Sequence, residues 1–331
     1  MSKWLAGIIR ADILLAMKTI CLGGSSLRAS RLAFGCWRLA AGMRDGQADA
    51  ASVIEAGKKA VIAAYEAGYT LFDHADIYCD GWSEKVFGEA LREVSGMRER
   101  VVIASKCGIR KTNEPQTGAP YRYDFSREHI IWSCEQSLKR LGVETIDLYQ
   151  LHRPDYLCEP AEVAAAFEEL RRSGKAREFG VSNFRPSQVS MLQKHCPMKL
   201  LVNQVEISLA YLAPFEDGTL DQCIELGMTP LAWSPLAGGL LADGARRLLP
   251  SQQSYQTGPI VTALDQMAAA RGVSRSVLAL AWLMRHPSGI VPIVGSTKPE
   301  RIREAARADT VELSREEWYQ LLTAARSQRL A

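Results

Sequence analysis

The sequence predicts an α/β protein, a (β/α)8 TIM barrel with an N-terminal β-hairpin capping its bottom and extra helices at its C-terminus. Three observations support this prediction. Eight short apolar segments alternate with amphipathic ones, a pattern typical of parallel strands joined by right-handed helical crossovers. No segment is followed by the Gly-x-Gly-x-x-Gly turn of an open dinucleotide-binding sheet. The length of 331 residues fits one barrel of roughly 250 residues with additions.

The chain begins its folded part with a turn signal. Gly23 and Gly24 lie between two short segments, Thr19–Leu22 and Ser26–Arg28. A double glycine between two such segments predicts a short β-hairpin. Arg31–Trp37 follows as the first buried strand.

Strands and helices then alternate to the end of the chain. Ser52–Ala67 repeats apolar residues at helical spacing. Ser314, with Glu317 three residues later, forms a capping box for the last helix. The remaining predicted strands are Thr70–Asp73, Val101–Lys106, Ile146–His152, Ala176–Ser182, Leu200–Val205, Thr229–Trp233 and Ile290–Val294. The predicted helices are Ser52–Ala67, Glu84–Val94, Ser126–Leu141, Pro160–Ser173, Pro186–His195, Leu220–Leu226, Ile260–Arg271, Arg275–Arg285, Pro299–Ala308 and Ser314–Arg329.

Composition excludes several classes of protein. Charged residues at 23% and apolar residues at 47% are typical of a soluble globular chain. A net charge of +3 without a dense basic run gives no reason to expect a nucleic-acid or membrane partner. The eight cysteines show no CxxC pair and no zinc spacing with histidine. We expect reduced thiols, no metal and a cytoplasmic location.

The N-terminal segment does not share the strand–helix alternation of the rest of the chain. Trp4–Met17 is apolar, but Arg10 and Asp12 interrupt it, so it predicts neither a membrane span nor a signal peptide. We expect residues 1–17 to be a loosely ordered extension and residues 18–331 to be a single barrel domain. Met17 is a possible natural start.

Polar side chains gather where the predicted strands end, which is where a barrel of this kind forms its active site. Asp73 and Tyr78 follow the second strand, Lys106 ends the third and His152 ends the fourth. An ammonium favours the phenolate form of a nearby tyrosine, and a buried ammonium needs a counter-charge such as Asp73. Together these groups suit protonation of a carbonyl oxygen. Taken singly, a structural Asp73–Lys106 ion pair and a rim tyrosine are open alternatives.

Seven motifs in order make the sequence resemble the aldo-keto reductases from Thr19 to Leu322. They are FDHADIY (72–78), ASK (104–106), IDLYQLHRPD (146–155), GVSNF (180–184), VNQVE (202–206), AWSPLAGG (232–239) and IVPIVGSTKPERI (290–302). The resemblance implies a barrel that binds NADPH across its mouth. It implies that Tyr78 is the general acid, that Lys106 and Asp73 tune it, and that His152 orients the carbonyl.

The resemblance also implies three groups of cofactor residues. Those for the nicotinamide are Ser182, Asn183 and Gln204 at its carboxamide and Trp233 stacked on its ring. Those for the pyrophosphate are Ser234, Leu236, Gly238 and Gly239. Those for the adenine end are Ser296, Thr297, Lys298 and Arg301. Arg301 matches a position that in relatives grips the 2′-phosphate or stacks on adenine. A lysine common in relatives is replaced here by Gly295, and Lys298 is a substitute for it. NADPH is still favoured over NADH.

The sequence identifies the substrate-binding residues less clearly than the cofactor-binding ones. A long loop rich in turn residues follows Lys106 and should overhang the mouth. We expect a small carbonyl substrate to meet Trp37, Trp82, Tyr121 and Arg153. The resemblance leaves two functions open. The first is an NADPH-dependent oxidoreductase that reduces aldehydes or ketones, including sugar-derived carbonyls, to alcohols by hydride transfer from nicotinamide. The second is a regulatory module that binds nicotinamide cofactor with little turnover, as in the channel-auxiliary relatives. The oligomeric state is not predicted.

Overall fold

The computed structural model of the protein describes residues 17–43, 49–244 and 253–326. The predicted N-terminal extension therefore lies outside the described residues, apart from Met17. That side chain is buried and packs near Gly68. All eight cysteines are free thiols.

The described chain folds into twelve short strands and ten α-helices. The strands are β1 Thr19–Cys21, β2 Arg28–Ser30, β3 Ala33–Gly35, β4 Leu71–Asp73, β5 Val102–Cys107, β6 Ile109–Arg110, β7 Arg122–Tyr123, β8 Ile146–Leu151, β9 Ala176–Ser182, β10 Leu200–Glu206, β11 Thr229–Trp233 and β12 Val291–Val294. The helices are α1 Ala50–Glu66, α2 Trp82–Glu93, α3 Arg127–Leu141, α4 Pro160–Arg172, α5 Pro186–His195, α6 Thr219–Leu226, α7 Gly258–Arg271, α8 Arg275–Met284, α9 Pro299–Ala306 and α10 Arg315–Arg326.

Eight of the strands close into one parallel barrel, which confirms the predicted fold class. The order around the barrel is β3, β4, β5, β8, β9, β10, β11 and β12, and β12 pairs again with β3. Helices follow the strands on the outside. Within the described part, no helix is both long and apolar enough to cross a bilayer.

Local signals explain where the helices begin and end. The Asp49 side chain accepts a hydrogen bond from the backbone N–H of Ser52 at the start of α1. Ser126 caps α3 as the sequence predicts, and Gly142 ends that helix at a φ of 67°. A side-chain oxygen satisfies a free N–H at one end, and a glycine accepts the left-handed conformation at the other.

The hairpin of β1 and β2 closes the bottom of the barrel, as predicted. The backbone N–H of Gly23 donates to Thr229 Oγ1 at 2.9 Å, at the start of β11. A Cβ on Gly23 would lie 2.7 Å from the Leu201 backbone, so only glycine fits this contact. The predicted second strand, Ser26–Arg28, is wrong by two residues at each end, because β2 spans Arg28–Ser30. The N–H of Leu22 bonds the carbonyl of Leu27, which keeps residues 22–27 in the loop.

Other boundaries differ at the top of the barrel. The first barrel strand is shorter than the predicted Arg31–Trp37 and turns into a 3-10 helix at Cys36. The loop after Lys106 contains a small antiparallel hairpin of β6 and β7, with Ile109 opposite Tyr123. The sequence pattern shows only turn residues there. The last residues of the predicted Ser314–Arg329 helix lie outside the described part.

Candidate active site

A buried ion pair forms the base of the site. Asp73 ends β4, and Lys106 lies on the neighbouring strand β5. Lys106 Nζ donates to Asp73 Oδ1 at 2.7 Å and to the carbonyl oxygen of His74 at 2.7 Å. The exposed fraction of the two side chains is 0% and 4%. Burial lowers the pKa of Lys106, and the Asp73 carboxylate opposes that shift. The ion pair is therefore fully desolvated.

Tyr78 lies on a strained turn above this pair. It begins a 3-10 turn in which Cys79 and Asp80 have φ of 48° and 57°, a conformation that costs a non-glycine residue about 1 kcal/mol or more. The turn is held partly by the Cys79 thiol, which donates to the carbonyl of Trp37 at 3.2 Å. Lys106 Nζ lies 5.1 Å from the centre of the Tyr78 ring.

The protonation of Tyr78 differs from the expectation. Burial, and then the Asp73 carboxylate, raise the pKa of Tyr78 well above 10. The expectation of a lowered pKa for Tyr78 is therefore not met, because burial of the phenol is the largest influence and the Asp73 carboxylate adds to it. Arg153 is the cation that pulls the pKa of Tyr78 downward. The residue is thus a neutral phenol with a proton to give.

His152 completes the group. Its ring lies edge-on to Tyr78 with 5.8 Å between the ring centres. Burial lowers its pKa well below 6.5, and the charges of Lys106 and Arg153 lower it further. The imidazole is neutral at neutral pH. Its Nδ1 is buried and has no hydrogen-bond partner among the described residues.

The predicted carboxamide residues form a continuous hydrogen-bonded row with Trp233. Asn183 Nδ2 donates to Ser182 Oγ at 2.8 Å, and Asn183 Oδ1 accepts from Trp233 Nε1 at 3.0 Å. Gln204 Nε2 donates to Asp73 Oδ1 at 2.7 Å, which the sequence did not predict. The indole is fixed by one edge and half-buried, and the Arg153 guanidinium lies over its ring. Amide groups beside a held aromatic face fit a nicotinamide.

The predicted pyrophosphate loop leaves the barrel after Trp233. Ser234, Gly238 and Gly239 have φ of 48°, 64° and 101°, and the backbone folds into a 3-10 turn at Ala237–Gly239. Leu236 and both glycines are half-buried. Glycine at these positions allows close approach to the backbone.

The predicted adenine-end residues lie together at the start of α9. Ser296 Oγ accepts the N–H of Lys298 at 3.3 Å, and Thr297 is half-buried beside it. Lys298 and Arg301 are exposed. Within the ranges that the structure describes, neither has an acidic group within ion-pair distance. Two unpaired cations at a helix N-terminus suit a phosphate group.

The predicted substrate residues surround the mouth unevenly. Trp37 and Tyr121 are 53% and 56% exposed. Trp82 is partly covered by Lys85, whose Nζ lies 4.2 Å from the ring centre. Arg153 lies over Trp233, with its guanidinium carbon 5.6 Å from the centre of the indole. Arg153 is therefore the substrate candidate that reaches furthest into the site.

Two features of the site were missed. Gln150 lies opposite Lys106 in the β5–β8 register, is fully buried, and its side-chain nitrogen and oxygen have no partner among the described residues. Its alternation with Leu148 and His152 could have placed it on the inner face. Glu206 accepts a hydrogen bond from Tyr255 Oη at 2.6 Å across the mouth. No sequence pattern links these two residues.

Comparison with known proteins agrees with this geometry. Residues 31–325 match the Aldo/keto reductase family. The chain is 44% identical over 315 residues to the 6-dehydroglucose reductase of Novosphingobium aromaticivorans, covering 93% of this chain and 96% of that protein. It is 36% identical to the 6-dehydroglucose reductase of Agrobacterium fabrum, covering 95% and 100%. Among solved structures, the glycerol dehydrogenase AKR11B4 from Gluconobacter oxydans superposes with a TM-score of 0.81 at 26% identity, covering 95% and 97%.

Proposed function

The chain belongs to the aldo/keto reductase family and is an NAD(P)H-dependent reductase, and we propose that it reduces an aldehyde to an alcohol with NADPH, using Tyr78 as the proton donor. The observation that supports this role is the neutral Tyr78 phenol, beside the neutral imidazole of His152 and above the Lys106–Asp73 pair. When bound, the nicotinamide supplies a hydride to the carbonyl carbon.

The protein's own groups supply the rest of the reaction. The Tyr78 hydroxyl and a ring nitrogen of His152 hold the carbonyl oxygen as donors. Negative charge grows on that oxygen, and Tyr78 gives it a proton. The ammonium of Lys106 is buried and lies 5.1 Å from the centre of the Tyr78 ring, so it provides a positive charge beside the phenol that water does not screen. Ser182, Asn183 and Gln204 would orient the cofactor's amide, and Trp233 would support its ring.

We propose a sugar-derived aldehyde as the substrate class. Two relatives at 44% and 36% identity bear the name 6-dehydroglucose reductase. The mouth here combines a guanidinium (Arg153), a carboxylate (Glu206) and phenols (Tyr121, Tyr255), which are partners for hydroxyl groups. A pocket built to hydrogen-bond hydroxyls discriminates strongly against analogues that lack them. We therefore expect 6-dehydroglucose to be reduced more efficiently than an apolar aldehyde of similar size.

The decisive experiment compares wild type with Tyr78→Phe. NADPH oxidation is followed with 6-dehydroglucose, glyceraldehyde and benzaldehyde. Tyr78→Phe removes only the hydroxyl, so kcat should fall by a factor of 100 or more, on the order expected for a lost general acid. The Kd for NADPH, measured by calorimetry, should stay within a factor of about three. A wild type no faster than Tyr78→Phe on every aldehyde would favour the regulatory function instead.

The preference for NADPH is proposed from the unpaired Lys298 and Arg301 at the start of α9. Each cation near a 2′-phosphate should contribute to binding. In the double variant Lys298→Met/Arg301→Met, affinity for NADPH should fall at least tenfold while affinity for NADH stays unchanged. Equal Kd values of wild type for the two cofactors would contradict the preference. We propose a cytoplasmic location, which suits free thiols and this cofactor.

A further inference from the structure

The site contains a second cation in addition to Lys106. This cation is Arg153, which lies in contact with Trp233. It follows His152 at the end of β8, and its guanidinium carbon is 5.6 Å from the centre of the indole. The indole itself cannot turn away, because Trp233 Nε1 donates to Asn183 Oδ1 at 3.0 Å. A guanidinium over an indole face is held by cation–π attraction.

The charge of Arg153 is not neutralised by an ion pair. Throughout residues 17–43, 49–244 and 253–326, no carboxylate lies within 4.0 Å of its guanidinium. Glu206 is the acid whose charge it faces, and the two interact only at longer range. One Glu206 oxygen is already occupied by Tyr255 Oη. The other titratable groups that feel Arg153 are Tyr78, Tyr121 and His152.

Lys106 differs from Arg153 in this respect. Its ammonium is shielded by Asp73 at 2.7 Å and by the His74 carbonyl. Arg153 is half-buried and its charge reaches the space above Trp233. An unpaired charge at a partly desolvated position acts over several ångströms.

We propose that Arg153 makes this site bind the reduced, uncharged nicotinamide in preference to the oxidised, cationic one. The inference rests on the proposed function, in which the nicotinamide stacks on Trp233. If Arg153 must move to let the nicotinamide stack on Trp233, the free-energy cost of that movement is the same for both cofactor forms. This cost therefore cancels in the ratio of the two Kd values. Repulsion between the guanidinium and the oxidised ring does not cancel. The consequence is easier release of the oxidised product and a bias toward carbonyl reduction.

The test measures the Kd of NADP+ and of NADPH by titration calorimetry, without substrate. Arg153→Met keeps the length of the side chain but removes its charge, and Arg153→Lys keeps the charge but loses the planar group. Arg315→Met is a matched control, because Arg315 also lies 5.6 Å over an aromatic ring, that of Tyr319 on α10. The quantity compared is the ratio of Kd for NADP+ to Kd for NADPH.

In Arg153→Met the ratio should fall on the order of tenfold, the change that two unit charges at close range produce in a half-exposed site. Arg153→Lys and Arg315→Met should keep the wild-type ratio within about threefold. An unchanged ratio in Arg153→Met would overturn the inference, even if both affinities moved together. If wild type bound neither cofactor, the proposed function itself would be wrong.

Discussion

Replacing Lys106 by methionine should destabilise the protein as well as inactivate it. The ammonium is 0% exposed and holds Asp73, whose side chain is 4% exposed. In Lys106→Met, a buried carboxylate would keep Gln204 Nε2 as its side-chain donor, at 2.7 Å. Removing one partner of a buried ion pair costs about 3–5 kcal/mol, because the other charge stays uncompensated. For a chain of 331 residues, whose unfolding entropy is about 0.7 kcal/mol/K, we expect Tm to fall by roughly 4–8 °C.

A second substitution separates stability from catalysis. Asp73→Asn in the Lys106→Met background removes the stranded charge and keeps an acceptor for Gln204. Thermal unfolding followed by circular dichroism should show that the double variant recovers at least half of the lost Tm. Its kcat should stay as low as that of the single variant. A double variant as unstable as Lys106→Met alone would show that Asp73 is not the source of the cost, and the electrostatic argument would fail.

Three further predictions concern stability. Burial raises the pKa of Asp76 to about 7, so the folded state holds an extra proton between about pH 4 and 7, and stability falls as pH rises through that window. Asp76→Asn should remove this fall, which is about 3 kcal/mol when unfolding free energies are compared at about pH 5 and 8. Gly88→Ala would place a Cβ 2.5 Å from the Leu141 carbonyl oxygen and should cost about 1–3 kcal/mol, whereas Gly258→Ala meets no atom within 4 Å and should cost nothing. Gln150→Leu removes a buried amide without partners and should raise the unfolding free energy by about 1 kcal/mol in urea denaturation; a loss of stability would mean that the amide is satisfied in solution.

The barrel was predictable because its signals are local. Strand β8 reads IDLYQLH, in which inward residues alternate with outward ones, and His152 falls where the strand ends. The same regularity places Asp73 and Lys106 on adjacent strands above the apolar interior, with Asp73 opposite Ala104 and Lys106 two residues further along β5. Strand order and register bring residues that are far apart in the sequence next to each other in space. Both follow from the repeated strand–helix alternation.

The parts that were not predictable depend on single contacts. The β6–β7 hairpin pairs only two residues on each strand, Ile109 with Tyr123 and Arg110 with Arg122, too few to leave a periodic pattern. The direction in which the pKa of Tyr78 shifts depends on how deeply the phenol is buried and on how near the Asp73 carboxylate and Arg153 lie to it. The contact between Arg153 and Trp233 depends on two side-chain rotamers from opposite sides of the mouth. None of these quantities is encoded in residue type or spacing.

The site thus divides its two cations between different tasks. Lys106 Nζ donates to Asp73 and to the His74 carbonyl, whereas burial and the Asp73 carboxylate keep Tyr78 a neutral donor. In the proposed reaction, the growing negative charge on the substrate oxygen is met first by two neutral donors, Tyr78 and His152. Of the two cations beside Tyr78 and His152, Arg153 is the one with no carboxylate within 4.0 Å among the described residues. Such a charge has no partner before the reaction and attracts the oxyanion during it. It therefore stabilises the transition state more than the ground state. Arg153 should therefore affect kcat as well as the preference for the reduced cofactor over the oxidised one, while Lys106 chiefly maintains the ground-state geometry on which Tyr78 depends.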